Sequence, residues 1–274
     1  MFRHRTVRHP SVPMSLTVIL ASVFFTCGCD SGDGAGGSGA AGSHRPAGHA
    51  AGTKVEGLPA PEKGSATLDG LFMVVRFSGS SISQFYHFFT PAGYAYLGVP
   101  QGGPEGFDFA QAAKKSPGST GTYTVNGGKL VVKFADGKTQ EMAYALNEKG
   151  QVTLDGLYAH KATPFPPGTT FNGAYSGGAA VGGGGSFVAS SQTYTFKPDG
   201  TYQHSGVGSV QAGGGGTNVG AGSTSKDGGT YQVAGNTMEL THSDGKVTKH
   251  TIFPYENYYK KVELNIDGAM YKPG

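Results

Sequence analysis

His204, His242 and His250 are the residues in this chain whose type and placement could do chemistry together. Leu130, Val132 and Phe134 alternate along one strand-like segment, and Met142, Tyr144 and Leu146 alternate along the next. By the period-2 rule for strands these are inward faces. A second segment with the same spacing reads Met238, Leu240 and His242, followed by His250 and Ile252. Histidine therefore stands where the first segment has Phe134 and Met142, and His204 has the parity of Tyr202 one hairpin earlier. Three imidazoles on one inner face could hold Zn²⁺ or Cu²⁺. The alternative is that each lines a wet barrel mouth, bonded to backbone or water. No two of them have i, i+2 spacing, and no acid shares the face in this reading.

Other chemistry is scarce. There is no Gly-x-Ser-x-Gly elbow and no His-Glu-x-x-His. Gly137-Lys138-Thr139 ends a nucleotide-loop-like string whose first glycine is replaced by Val132. Asp136, Asp155, Asp199, Asp244 and Asp267 each precede glycine, as turn residues do. The sequence therefore points to no catalytic residue, no cofactor and a non-enzymatic protein.

The elements that must position the histidines come from a duplication. Gly121-Thr-Tyr-Thr-Val-Asn-Gly127 recurs as Gly229-Thr-Tyr-Gln-Val-Ala-Gly235, and Lys129–Lys138 then matches Thr237–Lys246 without a gap. Phe89-Thr-Pro-Ala-Gly93 pairs with Phe196-Lys-Pro-Asp-Gly200, and Leu154-Asp-Gly156 pairs with Ile266-Asp-Gly268. Four stations in one order place two copies at 67–163 and 167–274. Each copy predicts about seven short strands hinged at Asn-Gly and Asp-Gly turns, with one helix at 108–115 capped by Asp108. The loop before the Gly-Thr-Tyr strand differs most between the copies. In the second it spans 206–229 and is so rich in glycine that composition predicts disorder. The fold class expected is all-β, as two tandem small antiparallel barrels or sandwiches. The Phe-x-Pro-x-Gly hairpin and the Gly-Thr-Tyr-x-Val strand resemble the lipocalin-like (calycin-type) modules of bacterial secreted lipoproteins. The resemblance covers both copies and implies a barrel with a ligand cavity. The Gly-x-Trp signature of true lipocalins is missing, because the chain has no Trp.

The N-terminal part reads as an address. Arg3, Arg5 and Arg8 precede an apolar run over 15–26, the pattern of a cleavable export signal over 1–28. The run is too short to cross a bilayer. Without these three arginines the chain carries 18 basic against 18 acidic side chains, which gives no general attraction to nucleic acid. Phe25-Thr-Cys-Gly-Cys29 resembles the lipobox of bacterial lipoproteins, which implies that Cys29 carries lipid and becomes the mature N-terminus. Residues 29–66, dominated by Gly, Ser and Ala, read as a flexible tether holding His44 and His49. Both cysteines, Cys27 and Cys29, lie at the leader's end, so no disulfide or cysteinyl metal site is expected beyond them.

The expected protein is thus exported and lipid-anchored to the cell envelope, at the outer membrane in preference to the inner. Its partners would be the membrane, through the anchor, and a small apolar ligand or an envelope protein. A ligand carrier requires a hollow barrel. An interaction component would have filled barrels and an exposed aromatic patch around Tyr255, Tyr258 and Tyr259. Mass spectrometry of the native protein should find the mature chain beginning at a lipid-modified Cys29. An unmodified N-terminus, or one retaining residues 1–28, would overturn the anchor.

Overall fold

The computed structural model describes residues 54–274 apart from 80, 184–185, 215–216 and 258, with the side chains of 81, 179–189 and 209–221 also outside the description. Cys29, His44, His49 and Tyr258 therefore lie outside the described residues. Two closed antiparallel barrels of eight strands each follow one another along the chain. The first comprises β1 (Gly70–Ser78), β2 (Ser81–Phe89), β3 (Tyr94–Tyr96), β4 (Thr120–Asn126), β5 (Lys129–Phe134), β6 (Thr139–Leu146), β7 (Val152–Leu154) and β8 (Leu157–Lys161). The second comprises β9 (Gly173–Gly183), β10 (Ser186–Phe196), β11 (Thr201–Gly214), β12 (Thr217–Ala234), β13 (Thr237–His242), β14 (Val247–Glu256), β15 (Val262–Ile266) and β16 (Ala269–Pro273). The eighth strand beyond the expected seven comes from a tight turn. Asp155 and Gly156 have φ of 50° and 75°, and Asp267 and Gly268 have 49° and 87°, so each Asp-Gly pair folds back two very short strands.

The two copies share one register. Tyr123 faces Val132 and Val125 faces Leu130; likewise Tyr231 faces Leu240 and Val233 faces Met238. Gly121 and Gly229 hold equivalent sites where a methyl group would collide with the carbonyl oxygen of Lys133 or Thr241. The motif's tyrosine is a clamp. The Tyr123 hydroxyl shares its one hydrogen between the carbonyls of Leu68 (2.8 Å) and Thr90 (3.1 Å) and accepts from the Leu68 N–H (2.8 Å). The Tyr231 hydroxyl does the same with the Phe171 carbonyl (3.3 Å), the Lys197 carbonyl (3.0 Å) and the Phe171 N–H (2.7 Å).

Each barrel encloses a buried cluster of its own side chains. Phe72, Phe89, Tyr123, Leu130, Val132 and Phe134 belong to the first interior, and Phe196, Tyr202, Tyr231, Met238, Leu240 and Ile252 to the second. Leu146 is a correction: it was expected to face inward and is 56% exposed. The β5–β6 pairing ends at Ala143, so β6 runs past the barrel wall with only β7 beside it.

A larger correction concerns 206–229, expected to be without structure. β11 and β12 pair continuously from Thr201↔Thr230 to Gly214↔Thr217. Glycine's propensity penalty was decisive in the composition reading, yet an antiparallel partner satisfies each backbone group whatever the side chain. β9 and β10 are similarly long, pairing from Phe196↔Gly173 to Ser186↔Gly183. The β16–β9 pairing stops at Gly177, whereas β13 joins β12 only from Gly229. A four-stranded sheet therefore runs on beyond the barrel.

The corresponding loop of the first copy became a clasp instead. It carries the helix α1 (Phe109–Lys115), whose N-cap Asp108 accepts from Gln111 N–H at 3.0 Å, as its sequence requires. Phe107, Phe109 and Ala113 cover the outer face of β1–β3 together with Phe253 of the second barrel. Glu105 binds the Asn236 N–H (2.6 Å) and the Thr237 hydroxyl, and Tyr86 donates to the Gly268 carbonyl (2.9 Å). The barrels thus share a core cluster between their outer faces.

Replacing Tyr231 by Phe leaves its ring and removes the clamp, orphaning the backbone N–H and carbonyl of buried Phe171. Tyr231→Phe and Tyr123→Phe should each lose about 1–3 kcal/mol, read as a lower denaturation midpoint with an unchanged m-value. An unaltered midpoint in both would show that the clamp does not hold the barrels.

Candidate functional site

The second barrel's interior changes character along its length. One end is the aromatic and aliphatic cluster around Phe171, Phe196 and Tyr231. Toward the other end, Tyr194, Tyr202 and Tyr271 direct their hydroxyls among polar side chains, with Tyr271 donating to Gln192 at 2.7 Å. Here β12 contributes Asp227, β13 His242, β14 Thr248 and His250, and the β15–β16 turn Asp267.

These five form one hydrogen-bonded chain. His242 meets the Asp227 carboxylate through Nδ1 and the Thr248 hydroxyl through Nε2 at 2.7 Å. His250 reaches the same Thr248 hydroxyl through Nε2 at 3.0 Å and the Asp267 carboxylate through Nδ1 at 2.6 Å. The Tyr202 hydroxyl closes one end, 3.1 Å from Asp227 Oδ2 and 3.0 Å from His242 Nδ1. The other end is fixed by the tight turn, since Asp267 Oδ1 also accepts from the Thr251 N–H at 2.9 Å. The His242 and His250 side chains are 20% and 21% exposed, so the chain lies at the wall's edge within reach of water.

The electrostatics follow from this packing. Burial pushes the Asp227 carboxyl up, but hydrogen bonds from His242, the Gly228 N–H and Tyr202 outweigh it and hold it below the usual carboxylate range. Burial and the bond to Asp227 both push the Tyr202 phenol up. His204 stacks on Tyr194 with ring centroids 4.4 Å apart, and its Nε2 is shielded from solvent without a hydrogen-bond partner. Burial pushes the His204 imidazole down; the Asp227 carboxylate opposes this, and His250 and His242 add to it.

Of the three expected histidines, the structure therefore joins His242 and His250 and leaves His204 outside the chain. The three-nitrogen metal cluster is not assembled: among the described residues no three His, Cys, Asp or Glu side chains are grouped to hold a metal ion. The acids, expected to be absent from this face, are present. Asp227 was missed because it lies in the segment read as structureless, and Asp267 because its turn role alone explained it. Thr248 carried a signal that went unused: it is two residues before His250 on the same strand face.

The first barrel shows the same positions without the chemistry. Phe134 and Met142 pack into its core, and Asp155 bonds only the Ala143 N–H, at 2.8 Å. Its His87, in the place of Tyr194, is 8% exposed and stacks on Phe89 at 6.3 Å. Burial pushes the His87 imidazole down to about 4, against a smaller upward pull from Asp155.

Two surface grooves lie outside the barrels. One runs between the 54–67 segment and the Pro91–Gly93 turn, and the other is bordered by Asn257, Lys261, Glu263 and Pro273. The expected aromatic patch is reduced: Tyr255 packs against His160 of the first barrel at 5.4 Å, whereas Tyr259 is 78% exposed. No family model, curated protein or solved structure matches this chain.

His87 sets a pH dependence whose sign is fixed. The folded chain keeps the imidazole neutral down to about pH 4, whereas an unfolded imidazole takes a proton near 6.5. Stability is complete above that upper value and falls as pH drops between the two, by about 3 kcal/mol at most. Denaturation midpoints of His87→Phe should be flatter than wild type across this window. Identical pH profiles would refute the burial penalty.

Proposed function

We propose that the protein is a non-enzymatic envelope lipoprotein, held by a lipidated Cys29 and a flexible tether, that works by binding another protein. The observation that carries this reading is the four-stranded sheet of β9–β12 continuing past the second barrel. On one side, 178–183 of β9 has no partner beyond the end of its pairing with β16; on the other, 217–228 of β12 precedes the start of its pairing with β13. Free strand edges in soluble proteins are normally blunted by Lys, Pro or bulges. Residues 178–183 and 217–225 contain no charged residue and no proline, and the charged pair Lys226 and Asp227 stands only at the barrel end of the second edge. Such edges accept an added strand through main-chain hydrogen bonds. The buried clusters inside both barrels support the same reading, because they occupy space that the apolar ligand a lipocalin-like resemblance implies would need.

A photo-crosslinking amino acid at Val181 or Val219, in cells making the full chain, should give a discrete protein adduct. Introducing Lys two residues away on the same edge, at Ala179 beside the Val181 label or at Ala221 beside the Val219 label, should remove it, and a label at Val247 should give no adduct throughout. Labelling equal at all three positions, or adducts with lipid alone, would refute strand addition.

A further inference from the structure

The Asp227–His242–Thr248–His250–Asp267 chain is not used by an interaction module, and it does not close on its own hydrogen count. A carboxylate only accepts hydrogen bonds, so each imidazole facing one through Nδ1 carries its hydrogen there when neutral. Both Nε2 lone pairs then point at Thr248 Oγ1, from 2.7 and 3.0 Å. That hydroxyl has one hydrogen and can satisfy one of them. With both rings neutral, the remaining nitrogen lone pair faces an oxygen lone pair in a half-buried site, a conflict that one added cation, a proton or a metal ion, removes.

We infer that His242 Nε2 and His250 Nε2 bind one late divalent transition-metal ion, Cu²⁺ or Zn²⁺, with Thr248 Oγ1 and water completing the coordination. A cation among three converging lone pairs removes the conflict that one hydrogen cannot. The outer contacts have the form that metal-binding histidines require. A ligating imidazole nearly always donates its other N–H to a carboxylate, a backbone carbonyl or water, which fixes its tautomer and ring direction. Asp227 and Asp267 do this for His242 and His250. Imidazole nitrogen with oxygen donors suits copper most strongly among first-row divalent ions, then zinc. The imidazoles and the hydroxyl are confined to the second barrel, since the first has Phe134, Gln140 and Met142 at the matched positions. Two protein nitrogens make this a different site from the three-histidine cluster expected of the sequence, and His204 is not one of its ligands.

The test uses the full chain, stripped with EDTA and titrated with CuCl₂ or ZnCl₂ alone. Binding should be saturable, one ion per chain, and should raise the melting temperature by linkage. It should survive in the His44→Ala, His49→Ala chain, which removes the tether histidines, and vanish in His242→Ala and in His250→Ala. Asp227→Asn should weaken it by about 10–100-fold. Because the alanine variants could unfold the barrel mouth, electron paramagnetic resonance of the wild-type copper complex gives an independent reading, with two directly bound nitrogens expected. No saturable binding, binding unchanged in both histidine variants, or a copper spectrum with fewer than two nitrogens would overturn the site. Failure here leaves the strand-edge reading intact, since crosslinking at β9 and β12 does not depend on metal.

Discussion

Everything in either barrel hangs from one buried tyrosine hydroxyl. In each copy it sits where three chain segments meet: the stretch leading into the barrel, the carbonyl at the end of the second strand of the Pro-Gly hairpin's first arm, and the Gly-Thr-Tyr strand itself. Desolvating a phenol and two carbonyls is costly unless each finds its partner, so the three segments are fixed relative to one another. The glycine two residues earlier enforces the same arrangement sterically, because the next strand's carbonyl lies where a side chain would begin. With that strand fixed, the hairpin hydrogen bonds from Tyr123 N–H to Gly93 and from Tyr231 N–H to Gly200 set the register of the neighbours. Register then decides which side chains face in.

This explains what could be read from the sequence and what could not. The duplication, the inward alternation over Leu130–Phe134 and Met238–His242, the Asp-Gly turns and the Asp108 cap are local patterns, and local patterns survive in sequence. Leu146 kept the pattern but not the burial, because where a strand leaves the wall depends on its neighbours' lengths. The 206–229 segment failed for a related reason: its glycines carry little strand preference, and only pairing with β11 makes it a strand. The site failed with it. Asp227 can be placed beside His242 only once β12 exists, so half of the polar chain was hidden behind the misread segment.

The two copies differ most in the loop before the clamp strand. In the first it folded into α1 and the Glu105 clasp, which covers the outer wall and docks the second barrel. In the second it lengthened into β11 and β12 and brought Asp227 to the wall. The first copy therefore presents a closed surface, and the second an open sheet with a polar mouth. The same loop position holds a structural joint in one copy and, in the other, the strand that brings Asp227 to a histidine supplied by β13.

The polar mouth also constrains the core beneath it. A buried Phe or Met contributes about 1.5–3 kcal/mol by leaving water, and the second barrel forgoes two such residues at His242 and His250. Its interior compensates with tyrosine: Tyr194, Tyr202 and Tyr271 fill volume with their rings while their hydroxyls enter the polar layer. An amphipathic ring is the side chain that can belong to both layers at once. The imidazoles are tolerated because the tyrosines grade the interior from apolar to polar, and because carboxylates hold both Nδ1 atoms. What grading cannot supply is a second hydrogen at Thr248, whose one hydroxyl hydrogen lies between two ring nitrogens. While both rings are neutral that deficit persists however well the ring walls pack, so it is the point in the second barrel where an added cation gains most.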